Sequence, residues 1–162
     1  MRLAVAATPE VAIPTLEFLL SGTDPLVKVF TTEDKPVGRG RALTPTVVAS
    51  WASIHGVECI KIGKASEMSA HLDDIDCVVT VAFGILLPQE ILSIPTHGFI
   101  NLHFSLLPAW RGAAPVQRAI ENGDDELGIS VFSLDEGMDT GPIYRQSSYL
   151  RDASMRSREA LD

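Results

Sequence analysis

Residues 76–82 read DCVVTVA, an almost unbroken apolar run near the middle of the chain. A run without polar alternation is typical of a parallel strand that is buried on both faces of a sheet. Apolar runs around Val5 and over 26–31, 57–60, 98–103, 128–134 and 142–150 predict the remaining strands. Helical spacing and end signals predict helices over 9–20, 44–55, 67–72, 88–92 and 113–122, and a further helix from residue 155.

The helix starts carry recognisable signals. Thr8 precedes Pro9 and Thr44 precedes Pro45, and both threonines are expected to cap a helix whose first turn holds the proline. Strands that alternate with helices predict an α/β fold. We expect a Rossmann-like, mostly parallel open sheet flanked by helices, with an antiparallel edge strand near the C-terminus.

Composition limits the class of protein. With 162 residues, 46% of them hydrophobic, the chain is expected to form one domain with a proper core. It has no apolar run of the roughly 20 residues that a membrane helix requires. The N-terminus lacks the apolar core of a secretory signal, which predicts a cytoplasmic protein. Cys59 and Cys77 have no close partner and are expected to be free thiols in a reducing compartment.

Charge and missing motifs exclude several functions. A net charge of −8 argues against a general nucleic-acid binder, although Lys35, Arg39 and Arg41 form a local basic patch in a loop with proline and glycines. The first strand is not followed by G-x-G-x-x-G, so NAD binding is not expected. A P-loop and His/Cys spacings typical of metal sites are also missing, and we predict no metal.

Chemistry is concentrated in residues 101–115, which read NLHFSLLPAWRGAAP. Asn101 and His103 lie two apart at the end of a predicted strand, so they point to one face. Polar groups there cost free energy unless they are hydrogen-bonded or used. Asp139, in a loop broken by glycines and a proline, would complete a set for acyl transfer, with an amide to stabilise an oxyanion and an imidazole to move a proton. Local hydrogen bonding remains an alternative for the pair.

The two blocks together resemble the formyltetrahydrofolate-dependent transferases. That family's signature is N-x-H-x-S-L-L-P followed by R-G, with a later D-x-G-x-D-T-G loop. The matching positions are Asn101, His103, Ser105, Leu106, Leu107, Pro108, Arg111, Gly112, Asp135, Gly137, Asp139, Thr140 and Gly141. The resemblance covers essentially the whole chain and implies 10-formyltetrahydrofolate as the formyl donor.

The resemblance also implies roles for individual residues. Asn101 and His103 would stabilise the oxyanion, and Asp139 would order His103 and a water for proton removal. The folate would be bound by residues after the middle strand and in the two signature loops, namely Phe83, Gly84, Leu86, Ser105, Leu106, Leu107, Pro108, Leu134, Asp135 and Gly137. The Leu107–Pro108 bond is often cis in this family, and the sequence leaves its isomer open.

Two features are similar to the branch of this family that formylates methionine on the initiator tRNA. The loop WRGAAPVQ over 110–117 has that branch's form, and PVGRGR over 36–41 is similar to its basic insertion. Lys35, Arg39 and Arg41 would then bind tRNA. Trp110 either lines the acceptor site or serves another purpose. The alternatives are a folate-dependent formyltransferase for a small amine (glycinamide ribonucleotide or an amino-sugar nucleotide), and a non-catalytic α/β ligand-binding module.

The chain, at 162 residues, is shorter than the proteins that it resembles. Members of that branch are about twice as long, with a C-terminal β-barrel that helps to hold tRNA. We therefore expect residues 1–162 to be a formyltransferase catalytic domain, truncated within a helix at Asp162. Such a chain would keep the folate pocket, bind tRNA poorly and be a monomer.

Overall fold

The computed structural model describes residues 1–37, 41–152, 156 and 160–161. Residues 1–99 and 100–162 form two compact units. The predicted helix from residue 155 lies mostly outside the described residues, and so does Arg39. Within the described part of the chain, no helix is both long and apolar enough to cross a membrane.

Nine strands and four α-helices follow one another along the described part of the chain. The strands are β1 Leu3–Ala7, β2 Leu26–Thr32, β3 Lys35–Val37, β4 Ala42–Thr44, β5 Glu58–Ile62, β6 Cys77–Val81, β7 Phe99–His103, β8 Glu126–Ser133 and β9 Ile143–Leu150. The helices are α1 Ile13–Leu20, α2 Val47–His55, α3 Gln89–Leu92 and α4 Pro115–Asn122. Two 3₁₀ segments cover Glu10–Ala12 and Ala65–His71.

The first unit contains a parallel sheet in the order β5-β2-β1-β6. All five residues of β1 are buried, as expected for a parallel strand that is covered on both faces. The largest fully buried side chains of this unit are Phe30, Phe99, Leu16, Ile62, Met68, Leu72, Val5, Val29, Val48, Val78 and Val81. The apolar run over 76–82 therefore predicted its strand correctly.

The second unit contains β7, β8 and β9, which pair in an antiparallel manner. Helix α4 begins with Pro115 and ends at Gly123, whose φ of +80° is readily adopted by glycine. Its residues Val116 and Ala119, one turn apart, are buried. Strand β9 is exposed along its whole length. The predicted α/β class and the antiparallel pairing near the C-terminus are confirmed.

Two predicted helix starts are wrong. A helix from Pro9 would need the residue at position 14 to donate its N–H to the carbonyl of Glu10, but Pro14 has no N–H. A 3₁₀ segment forms instead, and α1 begins at Ile13. Thr8 makes no cap, and its hydroxyl donates to the carbonyl of Phe83 at 3.4 Å. Thr46, rather than Thr44, caps α2 by accepting from the N–H of Ala49 at 3.0 Å.

The basic stretch over 34–42 is not the irregular loop that its proline and two glycines suggest. Strands β3 and β4 pair as an antiparallel hairpin, with Lys35 opposite Thr44 and Val37 opposite Ala42. Pro36 occupies a short two-stranded sheet, where a missing N–H is tolerated because each strand has an open edge. The tip of the hairpin lies outside the described residues.

A buried ammonium group lies beside the parallel sheet of the first unit. Lys28 is 6% exposed, and its Nζ donates to the carbonyl of His71 at 3.0 Å and to Asp74 Oδ1 at 3.2 Å. Arg2 Nη2 donates to the other oxygen of Asp74 at 2.7 Å. The hydrogen bonds from Arg2 and then Lys28 hold the pKa of Asp74 below its usual value.

This cluster predicts a pH-dependent contribution to stability. Because the pKa of Asp74 is lower in the folded state, the unfolded state binds more protons as the pH falls below about 4, the ordinary carboxyl range. The Asp74→Asn variant should therefore be less stable than the wild type at neutral pH, and the difference should shrink as the pH falls through the folded-state pKa. Urea unfolding across this range tests it, with exposed Asp73→Asn as the control. A difference that does not change with pH would contradict the expectation.

Candidate active site

The second unit brings the predicted polar pair to one face of β7. Residues Asn101 and His103 lie opposite Phe132 and Ser130 of the antiparallel neighbour β8. Side chains two apart on a strand share a face, as the sequence predicted. The His103 side chain is buried, with 7% of the residue exposed, whereas Asn101 is half-buried. Phe132 is fully buried and meets the His103 ring edge to face, at 6.4 Å between centroids and 88° between planes.

The two nitrogens of His103 face oxygen atoms. Nε2 is 2.9 Å from the carbonyl oxygen of Trp110. A carbonyl can only accept, so Nε2 carries a hydrogen and donates it. Nδ1 is 3.6 Å from Oδ2 of Asp139, which is longer than a hydrogen bond, and the two groups form an ion pair when the imidazole is protonated. The imidazole is thus fixed at one nitrogen and faces a carboxylate at the other.

Asp139 has a second contact that fixes its carboxylate. Its Oδ2 accepts from the backbone N–H of Gly112 at 2.6 Å. The backbone of Asp139 has a φ of +54°, a left-handed conformation that aspartate and asparagine adopt more readily than most residues. Because its side chain is only 13% exposed, the carboxylate is largely shielded from solvent. The structure therefore places Asp139 beside His103, where the sequence predicted it.

The Asn101 amide differs from its neighbours because no described residue hydrogen-bonds it. Its NH₂ group has two donors, and the side chain is only half-buried, which leaves them partly open to solvent. Nearby polar side chains of this unit, by contrast, are mostly engaged with the protein. Asn101 thus has hydrogen-bonding capacity available to a bound molecule.

Gly112 donates the backbone N–H that Asp139 accepts, and its conformation favours glycine. Its φ is +83°, in the region that L side chains rarely adopt. A Cβ at this position would also lie 3.0 Å from Sδ of Met138. The Arg-Gly step of the signature therefore allows two loops to approach each other closely.

The Ser105–Pro108 turn contains a cis peptide bond between Leu107 and Pro108. The buried hydroxyl of Ser130 holds this turn by accepting from Leu107 N at 3.0 Å and donating to Ser105 O at 2.6 Å. The Gln146 amide donates to Leu107 O at 3.0 Å and to Ser130 Oγ at 2.8 Å. The turn is thus tied to β8 and β9 by two residues that the sequence analysis missed. A signal for Ser130 existed, namely a hydroxyl on the same strand face as buried Gly128 and Phe132.

The Ser130 network gives a direct stability prediction. Ser130→Ala leaves the N–H of Leu107 and the carbonyl of Ser105 without this partner, so the free energy of unfolding should fall by about 2 kcal/mol. Exposed Ser148→Ala on β9 removes the same atom and should stay within about 0.5 kcal/mol of the wild type. Denaturant unfolding measures both. Equal stability of the two variants would show that the network does not hold the turn.

The loop over 134–141 is organised by Asp135. Its Oδ1 accepts from Gly137 N at 3.0 Å and from Thr140 Oγ1 at 2.7 Å. Leu134 and Asp135 are half-buried, whereas Gly137 is exposed. A Cβ at Gly137 would collide with the Thr140 hydroxyl, so the turn depends on glycine there.

The remaining predicted folate residues belong to the first unit. After β6, Phe83 is buried and Gly84 has a φ of +78°, while Leu86 is 83% exposed. The Thr8 hydroxyl joins the end of β1 to this stretch through the Phe83 carbonyl. These residues lie at the carboxyl end of a parallel strand, which is where open α/β sheets bind ligands.

Of the predicted tRNA-binding residues, Lys35 and Arg41 are described, and both are exposed on the β3–β4 hairpin. Arg39 lies between them in the part of the chain that is not described. Trp110 does not present its indole N–H to solvent, because this group donates to Asp124 Oδ2 at 2.7 Å. Within the described ranges, no three His, Cys, Asp or Glu residues form a group able to hold a metal ion.

Known proteins with similar sequences are formyl transferases. A sequence model of the formyl transferase family matches residues 1–161. The chain is 50% identical over 149 residues to methionyl-tRNA formyltransferase from Salinispora tropica, and 49% identical over 149 residues to that of Thermobifida fusca. Each alignment covers 89% of this chain and 48% of the relative. The chain thus spans about half the length of the curated relatives it matches.

Solved structures show the same fold at low sequence identity. Phosphoribosylglycinamide formyltransferase from Anaplasma phagocytophilum superposes with a TM-score of 0.81 at 20% identity, over 99% of this chain and 78% of that one. The N-formyltransferase from Helicobacter canadensis, solved with folinic acid and dTDP-3-aminofucose, gives a TM-score of 0.76 at 22% identity, over 99% of this chain and 56% of that one. The motifs, the fold and the match over residues 1–161 together establish that this chain belongs to the formyl transferase family.

Proposed function

We propose that this chain is the catalytic domain of an enzyme that transfers the formyl group of 10-formyltetrahydrofolate to the α-amino group of methionine on initiator tRNA. The observation that carries the proposal is the arrangement of Asn101, His103 and Asp139, with an amide that no described residue engages next to a fixed imidazole and carboxylate. About 50% identity to methionyl-tRNA formyltransferases supports the choice of acceptor.

The reaction requires no nucleophile from the protein. The amine of the acceptor attacks the formyl carbon, and a C–N bond forms while the carbonyl oxygen gains negative charge. The Asn101 NH₂ group would donate to this oxyanion, and His103 would donate from Nδ1 in its protonated form, because the Trp110 carbonyl already accepts from Nε2. The amine loses a proton to a water that His103 and Asp139 order. The bond between the formyl carbon and the folate nitrogen then breaks, and that nitrogen takes up a proton to give tetrahydrofolate.

The donor site includes the turn and the loop of the second unit. The Ser105–Pro108 turn is fixed by Ser130 and Gln146. Half-buried Leu106 would border the folate directly, whereas Leu107 is buried and would support the turn from beneath. Leu134, Asp135 and Gly137 would border the same site from their loop. The role of Phe83, Gly84 and Leu86 in binding the pterin stays a prediction from the sequence.

The acceptor is assigned from the basic hairpin. Exposed Lys35 and Arg41 are placed to contact tRNA phosphates, and Arg39 is expected to join them from the sequence. We further propose that the enzyme acts in the cytoplasm as a monomer. A second candidate acceptor is a small amine such as glycinamide ribonucleotide, which is favoured by the structural similarity to phosphoribosylglycinamide formyltransferases.

Competing acceptors test this proposal. The protein at its natural length is given 10-formyltetrahydrofolate with methionyl initiator tRNA, glycinamide ribonucleotide or an amino-sugar nucleotide. We expect transfer to the tRNA, and a higher KM for tRNA in Arg39→Ala and Arg41→Ala with a weaker salt dependence. Arg145→Ala, an exposed arginine of β9, is the matched control. Transfer to a small amine alone would contradict the assignment of tRNA as the acceptor. No transfer to any of the three acceptors would contradict the proposed formyltransferase activity.

A further inference from the structure

Two consecutive hydrogen bonds lead from the end of α4 to the buried imidazole. Asp124 Oδ2 accepts from the indole Nε1 of Trp110 at 2.7 Å. The carbonyl oxygen of the same tryptophan accepts from His103 Nε2 at 2.9 Å. Trp110 therefore contacts Asp124 through its side chain and His103 through its backbone, and the position of one contact constrains the other.

The backbone of Trp110 is in an uncommon conformation. Its φ is +57°, which a bulky residue adopts only where its surroundings determine it. The carbonyl of Trp110 accepts from His103, and its indole donates to Asp124. The indole contact is therefore the one that can anchor this residue to a group outside the His103 pair. The Trp110–Asp124 hydrogen bond thus supplies a reason for the carbonyl to point at the imidazole.

Asp124 is well suited to act as that fixed acceptor. It follows Gly123, which ends α4, and its backbone N–H donates to the carbonyl of Ala119 at 2.9 Å. Its carbonyl accepts from Arg151 Nε at 2.7 Å. The second carboxylate oxygen accepts from the exposed Asn122 amide at 2.7 Å. Two backbone hydrogen bonds therefore hold Asp124 in place independently of its side-chain contacts.

The same short loop also reaches the carboxylate on the other side of the imidazole. Two residues after Trp110, the N–H of Gly112 donates to Asp139 Oδ2, and this oxygen is 3.6 Å from His103 Nδ1. The loop over 110–112 therefore contacts both members of the His103–Asp139 pair. A displacement of Trp110 would change the environment of both nitrogens of the imidazole.

We infer that Asp124 and Trp110 are positioning residues that fix the tautomer and the orientation of His103. The indole–carboxylate hydrogen bond holds the Trp110 carbonyl against Nε2, which keeps the hydrogen on Nε2 and directs Nδ1 to Asp139. The Trp110 indole thus holds the backbone that contacts His103, and its N–H is directed to Asp124. Only the kinetic consequences of this inference rest on the proposed function, because the orientation of His103 can be tested without an activity.

Nuclear magnetic resonance of the imidazole tests the inference without an activity assay. In the natural-length protein, the Nε2–H of His103 should give a slowly exchanging signal, assigned by its loss in His103→Gln. Trp110→Phe keeps an aromatic side chain but removes the indole donor, and Asp124→Ala removes the acceptor. In both variants this signal should broaden or exchange at least about tenfold faster, since the carbonyl acceptor is no longer held. Asn122→Ala, which removes the hydrogen bond to the other carboxylate oxygen, should leave the signal unchanged.

Kinetics supply a second readout. In Trp110→Phe and Asp124→Ala, kcat should fall by about tenfold with the KM for 10-formyltetrahydrofolate unchanged, because His103 acts on the oxyanion and on proton removal and not on donor binding. The double variant should be no slower than either single variant, because each single variant already removes the same Trp110–Asp124 hydrogen bond. Asp124→Asn, which keeps an oxygen acceptor, should recover most of kcat. Assays are run well below the unfolding midpoint of every variant.

Each outcome decides the inference. Faster exchange of the Nε2–H together with a non-additive loss of kcat supports it. A loss of thermal stability with an unchanged His103 signal would show a merely structural role and overturn it, and so would losses of kcat that multiply in the double variant. If the wild type transfers formyl to no acceptor, the proposed function fails. The exchange rate of the His103 Nε2–H in the variants still tests the positioning role in that case.

Discussion

Asn101→Ala is expected to lower kcat for formyl transfer by about 10²–10³-fold, the usual effect of removing one oxyanion donor. The Asn101 amide makes no hydrogen bond to a described residue, so its removal leaves no buried group without a partner. The free energy of unfolding should therefore change by less than about 1 kcal/mol. Transfer is measured in single turnover with radiolabelled formyl donor, and unfolding is measured in urea.

Two further variants sharpen this test. Asn101→Asp has the same shape but replaces the donor by a carboxylate, which repels an oxyanion, so its kcat should be lower than that of Asn101→Ala. Asn122→Ala removes the same type of side chain at an exposed position and should retain wild-type activity. If Asn101→Ala were destabilised but transferred formyl at the wild-type rate, Asn101 would be structural, as a non-catalytic ligand-binding module would require.

Asp139→Asn is expected to lower kcat by about 10²–10⁴-fold, the range for loss of acid–base catalysis. Asparagine has the same shape and also tolerates the φ of +54°, and its carbonyl oxygen can still accept from Gly112 N. The change therefore removes the charge beside His103 Nδ1 with little change in the loop. The KM for the formyl donor should stay within about threefold of the wild type, because the carboxylate acts on the proton.

The control for this change lies in the same loop. Glu136 is exposed and makes no ion pair with a described residue, so Glu136→Gln removes one negative charge without affecting the imidazole. It should transfer formyl at the wild-type rate. An Asp139→Asn enzyme that kept more than about a tenth of the wild-type kcat would show that the carboxylate is not needed for proton removal.

Local chemistry explains where the sequence predicted helices correctly and where it did not. Gly123 ends α4 and Gly56 ends α2, each with a positive φ that glycine adopts easily, and both ends were predicted. The start of α1 was misplaced because Pro14 interrupts the hydrogen bonding that a helix from Pro9 requires. At α2 the predicted cap Thr44 is followed by Pro45 and by a second threonine, Thr46, whose hydroxyl is the one that accepts from the N–H of Ala49. Spacing alone does not distinguish neighbouring caps.

The basic hairpin shows a different limit. One proline and two glycines predicted a loop over 34–42, whereas β3 and β4 pair across its base. A two-stranded ribbon with open edges depends on a few backbone hydrogen bonds, and its short strands lack the apolar alternation by which a strand is recognised. The positions of Lys35 and Arg41 on this ribbon follow from the pairing and not from their spacing.

By itself, the sequence determined the α/β class, the family and the identity of the three polar residues at the candidate site. It could do so because strand burial imposes a local pattern, and because Asn101, His103 and Asp139 lie in motifs whose residue types can be read directly. The tertiary structure alone decided what holds those residues. Ser130, Gln146 and Asp124 are distant in the sequence from the groups they bind, and hydrogen bonds between distant segments depend on strand register and loop conformation. No periodicity in the chain encodes such contacts, because each is satisfied only when the backbone of another segment supplies its partner.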